Sequence, residues 1–135
     1  MAWSFTSRAP VYMQIVSRIR ADILGGVYQP DQQIPAVRQL ALTAGVNPNT
    51  MQRAFSVLEA EQLFITRGTI GRFITTDTEV LKRAREVMRR ETVARLIEEA
   101  AAVGISPAEL IESIRAYESE NAAEKGDASQ ETDTQ

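Results

Sequence analysis

Apolar residues recur every three or four positions along the first part of the chain, which is the period of an amphipathic α-helix. One such stripe begins near Pro10 and stops at a glycine pair that starts with Gly25. A second helix is predicted to open at Pro35 and to end at Gly45. A third follows almost at once, because Asn47 is a favourable N-cap and the proline after it suits the first helical position. The pattern therefore predicts three short helices, of which the last two are tightly joined.

Beyond the third predicted helix the pattern changes to two β-prone runs, residues 63–67 and 72–76. Gly68 and Gly71 bound a short turn between them, so the two runs are predicted to form a hairpin. Three helices followed by a hairpin is the element order of a winged helix-turn-helix. The predicted fold is mainly α with a small β-hairpin, and a short two-helix dimerisation segment follows the winged helix-turn-helix.

Two helices are predicted after the hairpin. The first runs from Thr78 until Gly104 breaks it, and Ser106 with Glu109 has the capping-box spacing that starts the second. A monomer would expose the apolar stripes of both helices, and pairing with a second copy would cover them. The residues assigned to this homodimer interface are Leu81, Ala84, Val87, Met88, Leu96, Ile97, Leu110, Ile111 and Ile114.

Three segments follow from these patterns. Residues 1–76 are predicted to form the winged helix-turn-helix, and residues 77–118 the two-helix dimerisation domain. Residues 119–135 are poor in apolar residues and rich in Glu, Ser, Thr and Asp, so they are predicted to form a disordered acidic tail.

Composition excludes several classes of function. The chain of 135 residues contains no cysteine and no histidine, which excludes disulfides, thiolate or imidazole metal sites and triads built on His. The carboxylates have no Gly-rich phosphate loop beside them, so no enzyme, cofactor or metal site is predicted. No apolar run is long enough to span a membrane and no secretory signal is visible, so a cytoplasmic protein without membrane contact is expected.

The net charge of −3 is unevenly distributed along the chain. Residues 1–77 hold 7 Lys and Arg against 5 Asp and Glu, whereas residues 118–135 hold 1 against 6. The acidity therefore lies almost entirely in the tail, and the local balance leaves the N-terminal segment compatible with a polyanionic partner.

The third predicted helix carries the strongest chemical signal. Opposite its apolar stripe lie five polar residues, none of them acidic: Asn49, Thr50, Gln52, Arg53 and Ser56. Asn, Gln and Arg can pair with base edges in the major groove, and the helix N-terminus is favourable toward phosphate. The alternative is an ordinary solvated face, although such faces usually mix Glu and Lys.

Three more residues could contact DNA from the hairpin. Arg67, Thr69 and Arg72 straddle its turn, which would suit a minor groove or a phosphate backbone. The alternative is a hairpin kept soluble by its charges. Arg38 lies off the apolar face of the second helix, where it is either a phosphate contact or a lone surface charge.

Taken together, four stretches resemble the DNA-binding domain of GntR-family transcriptional regulators. They are residues 10–15 (PVYMQI), 34–41 (IPAVRQLA), 45–55 (GVNPNTMQRAF) and Leu58-Glu59. The resemblance covers residues 8–76, and the short helical remainder resembles the YtrA subfamily. It implies DNA contacts at Arg38, Asn47, Asn49, Thr50, Gln52, Arg53, Arg67 and Gly68.

The resulting prediction is a homodimeric, sequence-specific repressor that binds an inverted repeat in double-stranded DNA. By resemblance, its target is its own operon, often one that encodes an ABC transporter. One rival is a winged helix used for protein–protein contact, and another is a regulator with an effector site at the dimer interface. No small-molecule effector is expected, because the apolar positions of residues 78–117 are needed for packing.

Overall fold

The structure is a computed structural model that describes residues 2–132. Five helices and two strands follow in the order α1 (Val11–Leu24), α2 (Val37–Ala44), α3 (Pro48–Ala60), β1 (Phe64–Arg67), β2 (Gly71–Ile74), α4 (Thr78–Ala102) and α5 (Pro107–Thr132). The strands pair antiparallel. The predicted fold class, mainly helical with one hairpin in the order of a winged helix-turn-helix, is confirmed.

The tight junction between α2 and α3 depends on local signals at both helix ends. Gly45 ends α2 in the left-handed conformation with φ 75°, where its N–H donates to the Ala41 carbonyl at 2.9 Å. A Cβ on Gly45 would also lie 2.8 Å from the Cβ of Ala2 in the N-terminal segment. The side-chain oxygen of Asn47 accepts from the Asn49 N–H at 2.8 Å and so caps α3 as predicted.

The apolar stripes of the first three helices meet in one core. Ile15 and Ile19 of α1 are fully buried, as are Met51, Phe55 and Leu58 of α3. The hairpin joins this core through Phe64, whose ring meets Phe55 edge-on at 5.1 Å between centroids. Because α3 is packed along this whole stripe, its polar face must point outward.

A segment outside the two strands hydrogen-bonds to the hairpin, and the sequence did not predict this contact. Asp31 N–H donates to the Ile74 carbonyl at 2.9 Å, and Ile34 N–H donates to the Arg72 carbonyl at 3.0 Å. Gln33 and Phe73 form an isolated antiparallel bridge between these two segments. The loop before α2 therefore supports the outer edge of β2.

The chain divides into two compact units, one ending at Met88 and one beginning at Arg89, so the boundary falls within α4. Asp77 caps α4 by accepting from the Glu79 N–H at 3.0 Å. The first turns of α4 belong to the first unit, because Leu81 and Ala84 pack against its core. These two residues were predicted in a dimer interface after a boundary at residue 76. Both stay half-buried within the chain, and their place in a dimer interface stays a prediction.

The helix α5 begins as the sequence predicts, with Glu109 N–H donating to Ser106 Oγ at 3.2 Å. It then continues to Thr132, whereas disorder was predicted for residues 119–135. The correction has a physical reason: once a capped helix is nucleated, good helix formers such as Ala122, Ala123 and Glu124 extend it at little cost. Residues 133–135 lie outside the described residues.

Two negative findings hold for the residues that the structure describes. None of their helices combines the length and apolar character that a membrane span requires. They also hold no group of three or more acidic side chains arranged to bind a metal ion.

Candidate nucleic-acid interface

The polar face of α3, which was predicted to contact DNA bases, is exposed as one surface. Asn49, Gln52 and Arg53 are exposed and Thr50 is half-buried, while the intervening Met51 is fully buried. Packing thus leaves three side chains with paired donor or acceptor groups on the outward face of α3. Asn47 lies at the start of this face, but its side-chain oxygen is already used by the helix cap.

Arg53 is supported by a residue of another helix. Its guanidinium carbon lies 3.9 Å from the centroid of the Tyr12 ring on α1. Sequence reasoning placed Tyr12 only in the apolar stripe of the first helix, since periodicity does not reveal a contact between helices.

Arg72 occupies a different environment from the one its sequence position suggested. Its Nε is paired with Glu59 Oε1 of α3, and its guanidinium carbon lies 5.3 Å from the Phe55 ring centroid. Thr66 of β1 donates to the same Glu59 oxygen at 3.3 Å. Both strands of the hairpin are therefore fastened to α3 through one carboxylate. These contacts give Arg72 a structural role, because they join the hairpin to α3.

Arg67 is also engaged within the chain. It pairs with Asp31 and lies 4.4 Å over the Phe73 ring, although the ion pair is about half exposed. The turn beyond it presents Gly68, Thr69 and Ile70 to solvent. The structure thus leaves the hairpin tip open while a carboxylate offsets the charge at its base.

Gln33 holds the shape of this turn. Its side-chain Nε2 donates to the Ile70 carbonyl at 2.9 Å, and a Cβ on Gly71 would lie only 2.7 Å from the same nitrogen. Gly71 has φ 138°, a conformation that other residues rarely adopt. Sequence reasoning missed Gln33, and no local signal marked it, because its partner lies across the hairpin.

Arg38 is exposed on α2 and, within the described part of the chain, has no ion-pair partner. Arg53 likewise has no carboxylate at ion-pair distance among the described residues. Among these four arginines, the two without a carboxylate partner therefore lie on the helix-turn-helix, and the two of the hairpin are paired. This division separates the helix-turn-helix from the hairpin as candidate sites of attraction for a polyanion.

The remaining residues predicted for dimerisation are exposed or half-buried within their own units. Val87, Ile111 and Ile114 are each about half exposed, and Leu96 and Ile97 are about two-fifths exposed. Met88 and Leu110 are half-buried. Apolar side chains of this size at such exposure are favourable for contact with another surface.

One hydroxyl of the first unit has a shifted pKa. Burial raises the pKa of Tyr28 above its usual 10.0, and the nearby Asp22 carboxylate raises it further. Because both effects disfavour the phenolate, Tyr28 stays neutral throughout the physiological pH range.

Comparisons with known proteins agree with this geometry. The family model of bacterial regulatory proteins of the gntR family matches residues 11–74. Over 110 residues the chain is 31% identical to the HTH-type transcriptional repressor YtrA of Bacillus subtilis (strain 168), covering 81% of this chain and 85% of YtrA.

Two solved structures are similar to the fold described above. A GntR family transcriptional regulator from Listeria monocytogenes has a TM-score of 0.72 at 28% identity, covering 83% of this chain and 98% of that one. The AraR DNA-binding domain in complex with operator ORX1 has a TM-score of 0.50 at 26% identity, covering 56% of this chain and 99% of that one. The order of helices and hairpin, the sequence match and these neighbours lead to one conclusion: the chain belongs to the gntR family of bacterial regulatory proteins and is a helix-turn-helix transcriptional regulator.

Proposed function

We propose that the protein is a homodimeric repressor that binds an inverted-repeat operator in double-stranded DNA and controls its own operon. The observation that carries this proposal is the exposed face of α3, which is polar, free of acidic residues over its first turns and supplied with an uncompensated arginine. A neighbouring fold, the AraR domain, was crystallised with its operator, and the relative YtrA is named a repressor.

On this proposal the residues of α3 read bases. Gln52 and Arg53 supply paired contacts to base edges, and Asn49 and Thr50 extend the contact toward the N-terminal end of the helix. Arg38 binds phosphate and so adds affinity for any sequence. Gly68 and Thr69 approach the duplex through the hairpin tip. Arg67 binds DNA in competition with its ion pair to Asp31.

Dimerisation is assigned to the apolar residues that the two units leave exposed. Leu96, Ile97, Ile111 and Ile114 are the principal ones, and Val87, Met88 and Leu110 are assigned in addition. Covering these side chains removes apolar area from water, which favours association. A two-fold dimer presents two α3 helices, so its operator should contain two inverted half-sites about one helical turn apart, or a multiple of that.

The protein acts by binding rather than by catalysis, and it needs no cofactor for that. A winged helix used only for protein contacts would share the fold but not the preference for particular bases. Selection of bound sequences from a random duplex pool separates these functions. An enriched inverted repeat supports the proposal, whereas a pool without enrichment would point to protein contacts.

The selected operator then tests the reading residues one by one. Gln52→Ala and Arg53→Ala should each cost about 1–3 kcal/mol of binding free energy, concentrated at one base pair of each half-site. Arg85→Ala on α4 removes the same charge from an exposed position outside α3 and serves as the control. Unchanged base preference in both α3 variants would refute the assignment of this helix.

A further inference from the structure

The arginine on the exposed face of α3 is held by an aromatic ring that belongs to α1. The guanidinium carbon of Arg53 lies 3.9 Å from the centroid of the Tyr12 ring, within the range of a cation–π contact. Tyr12 is half-buried and packs against the core of the first unit. The ring is therefore a rigid support, because the packing of α1 sets its position.

Arg53 differs in this respect from the two arginines of the hairpin. Arg67 and Arg72 are each paired with a carboxylate, which offsets their charge. A neutral ring restrains Arg53 without offsetting its charge. The contact consequently fixes the side chain while leaving its attraction for DNA intact.

The geometry also leaves the hydrogen-bonding edge of Arg53 available. A guanidinium has five N–H donors, and no ion pair within the described residues engages those of Arg53. A long side chain that is already ordered loses less conformational entropy when it binds. This is the condition under which an arginine can discriminate between bases through paired hydrogen bonds.

We propose that Tyr12 is a positioning residue for base recognition: by holding Arg53 in place, it increases the preference for the base that Arg53 reads. That base presents two hydrogen-bond acceptors on one edge, as guanine does in the major groove. This inference rests on the proposed function, because it requires α3 to read DNA.

The test uses the whole 135-residue chain and a panel of single-base variants of the selected operator. Tyr12→Leu removes the ring but keeps apolar volume, and Tyr12→Phe keeps the ring. Tyr28→Leu is the matched control, since Tyr28 is also half-buried and packs against the same core. Arg53→Ala identifies the base pair that Arg53 reads.

At that base pair, Tyr12→Leu should lower discrimination about 2- to 5-fold, as loss of an exposed cation–π contact predicts. Preference elsewhere should not change. Tyr12→Phe and Tyr28→Leu should retain the wild-type preference, and Tyr12→Leu combined with Arg53→Ala should behave as Arg53→Ala alone. If Tyr12→Leu does not fold by circular dichroism, Tyr12→Met takes its place, because methionine fits irregular gaps.

Three results would overturn the inference while leaving the proposed function intact. They are unchanged preference in the Tyr12→Leu variant, an equal loss at every base pair, and additive losses in the double variant. Absence of any base preference in the wild-type protein would instead overturn both.

Discussion

At the scale of single residues, the arginines of the candidate interface fall into two groups. Arg38 and Arg53 carry charge that no described carboxylate offsets, whereas Arg67 and Arg72 are paired with Asp31 and Glu59. The same residue type therefore serves two purposes on one surface. Which purpose applies depends on whether a carboxylate lies at ion-pair distance.

Asp31 should compete with DNA for Arg67. Asp31→Asn removes that competition, and asparagine tolerates the left-handed backbone at this position, where φ is 67°. We expect operator affinity to rise by up to about 5-fold, equally for all sequences, since an exposed ion pair is worth at most about 1 kcal/mol. The logarithmic salt dependence should steepen by about one unit, because one more phosphate contact forms.

The control for this change is Glu61→Gln, which removes the same charge from an ion pair with Arg20 that lies outside the hairpin and is less exposed. A similar gain in both variants would mean that only net charge matters and that the pairing of Arg67 is irrelevant. Titration of labelled operator duplex at several salt concentrations provides the measurement.

Arg72 and Arg38 should respond differently to truncation. Arg72→Ala removes the contacts with Glu59 and Phe55, so the free energy of unfolding should fall by about 1 kcal/mol. Arg38→Ala should change stability by less than about 0.5 kcal/mol and weaken binding to all duplexes alike. Urea unfolding and duplex titration of both variants provide the comparison.

A double-mutant cycle of Arg72→Ala with Glu59→Gln isolates the pair itself. A coupling energy of zero would show that Arg72 does not fasten the hairpin to α3.

At the scale of the elements, the hairpin is shaped by contacts from outside its own two strands. Residues 31–34 lie along β2, and the Gln33 side chain holds the carbonyl of Ile70 at the turn. The two turn glycines thus differ, because Gly71 faces Gln33 while Gly68 has open space around it. Gly71 at φ 138° also lies outside the left-handed region that Gly68 occupies at φ 51°, so backbone strain adds to crowding at Gly71, and only removal of the Gln33 side chain isolates the crowding.

Gly68→Ala should cost about 1–2 kcal/mol of unfolding free energy, the usual penalty for a side chain in the left-handed region. Gly71→Ala should cost more, because the new Cβ would lie 2.7 Å from Gln33 Nε2. Adding Gln33→Ala to Gly71→Ala should recover part of that difference. Denaturant unfolding of the three variants measures it, and equal costs at the two glycines would contradict the crowding described here.

At the scale of the whole molecule, association is expected through the exposed apolar residues of α4 and α5. Ile111→Glu places a charge where the proposed interface excludes water, so the dimer dissociation constant should rise at least about 10-fold. Operator affinity should fall with it, because two linked half-site contacts become independent. Sedimentation and duplex titration at the same protein concentration provide the measurements.

Val27→Glu is the matched control, since Val27 is an exposed valine of the first unit outside the proposed interface. It should leave the dimer intact. An unchanged dissociation constant in the Ile111→Glu variant would place the interface elsewhere. A spacer change of about half a helical turn between half-sites should also abolish tight binding by the wild-type dimer.

Much of the fold could be predicted from the sequence because its signals are local. The glycine that ends α2, the Asn47 cap and the Ser106–Glu109 capping box each act within a few residues. Helical periodicity then separates buried from exposed positions, which identified the outward face of α3. The residues on that face follow from the same pattern.

Contacts between residues far apart along the chain depend instead on how the elements pack together. The Tyr12–Arg53 contact, the Arg72–Glu59 pair and the bond from Gln33 to Ile70 each join different elements. The packing of Leu81 and Ala84 on the first unit is of the same kind. Periodicity and capping describe each element alone, whereas these partners are chosen by how the elements pack. Local sequence signals are therefore sufficient for the helices, their caps and the exposed face of α3, whereas long-range packing sets which arginines of the candidate interface are paired with a carboxylate.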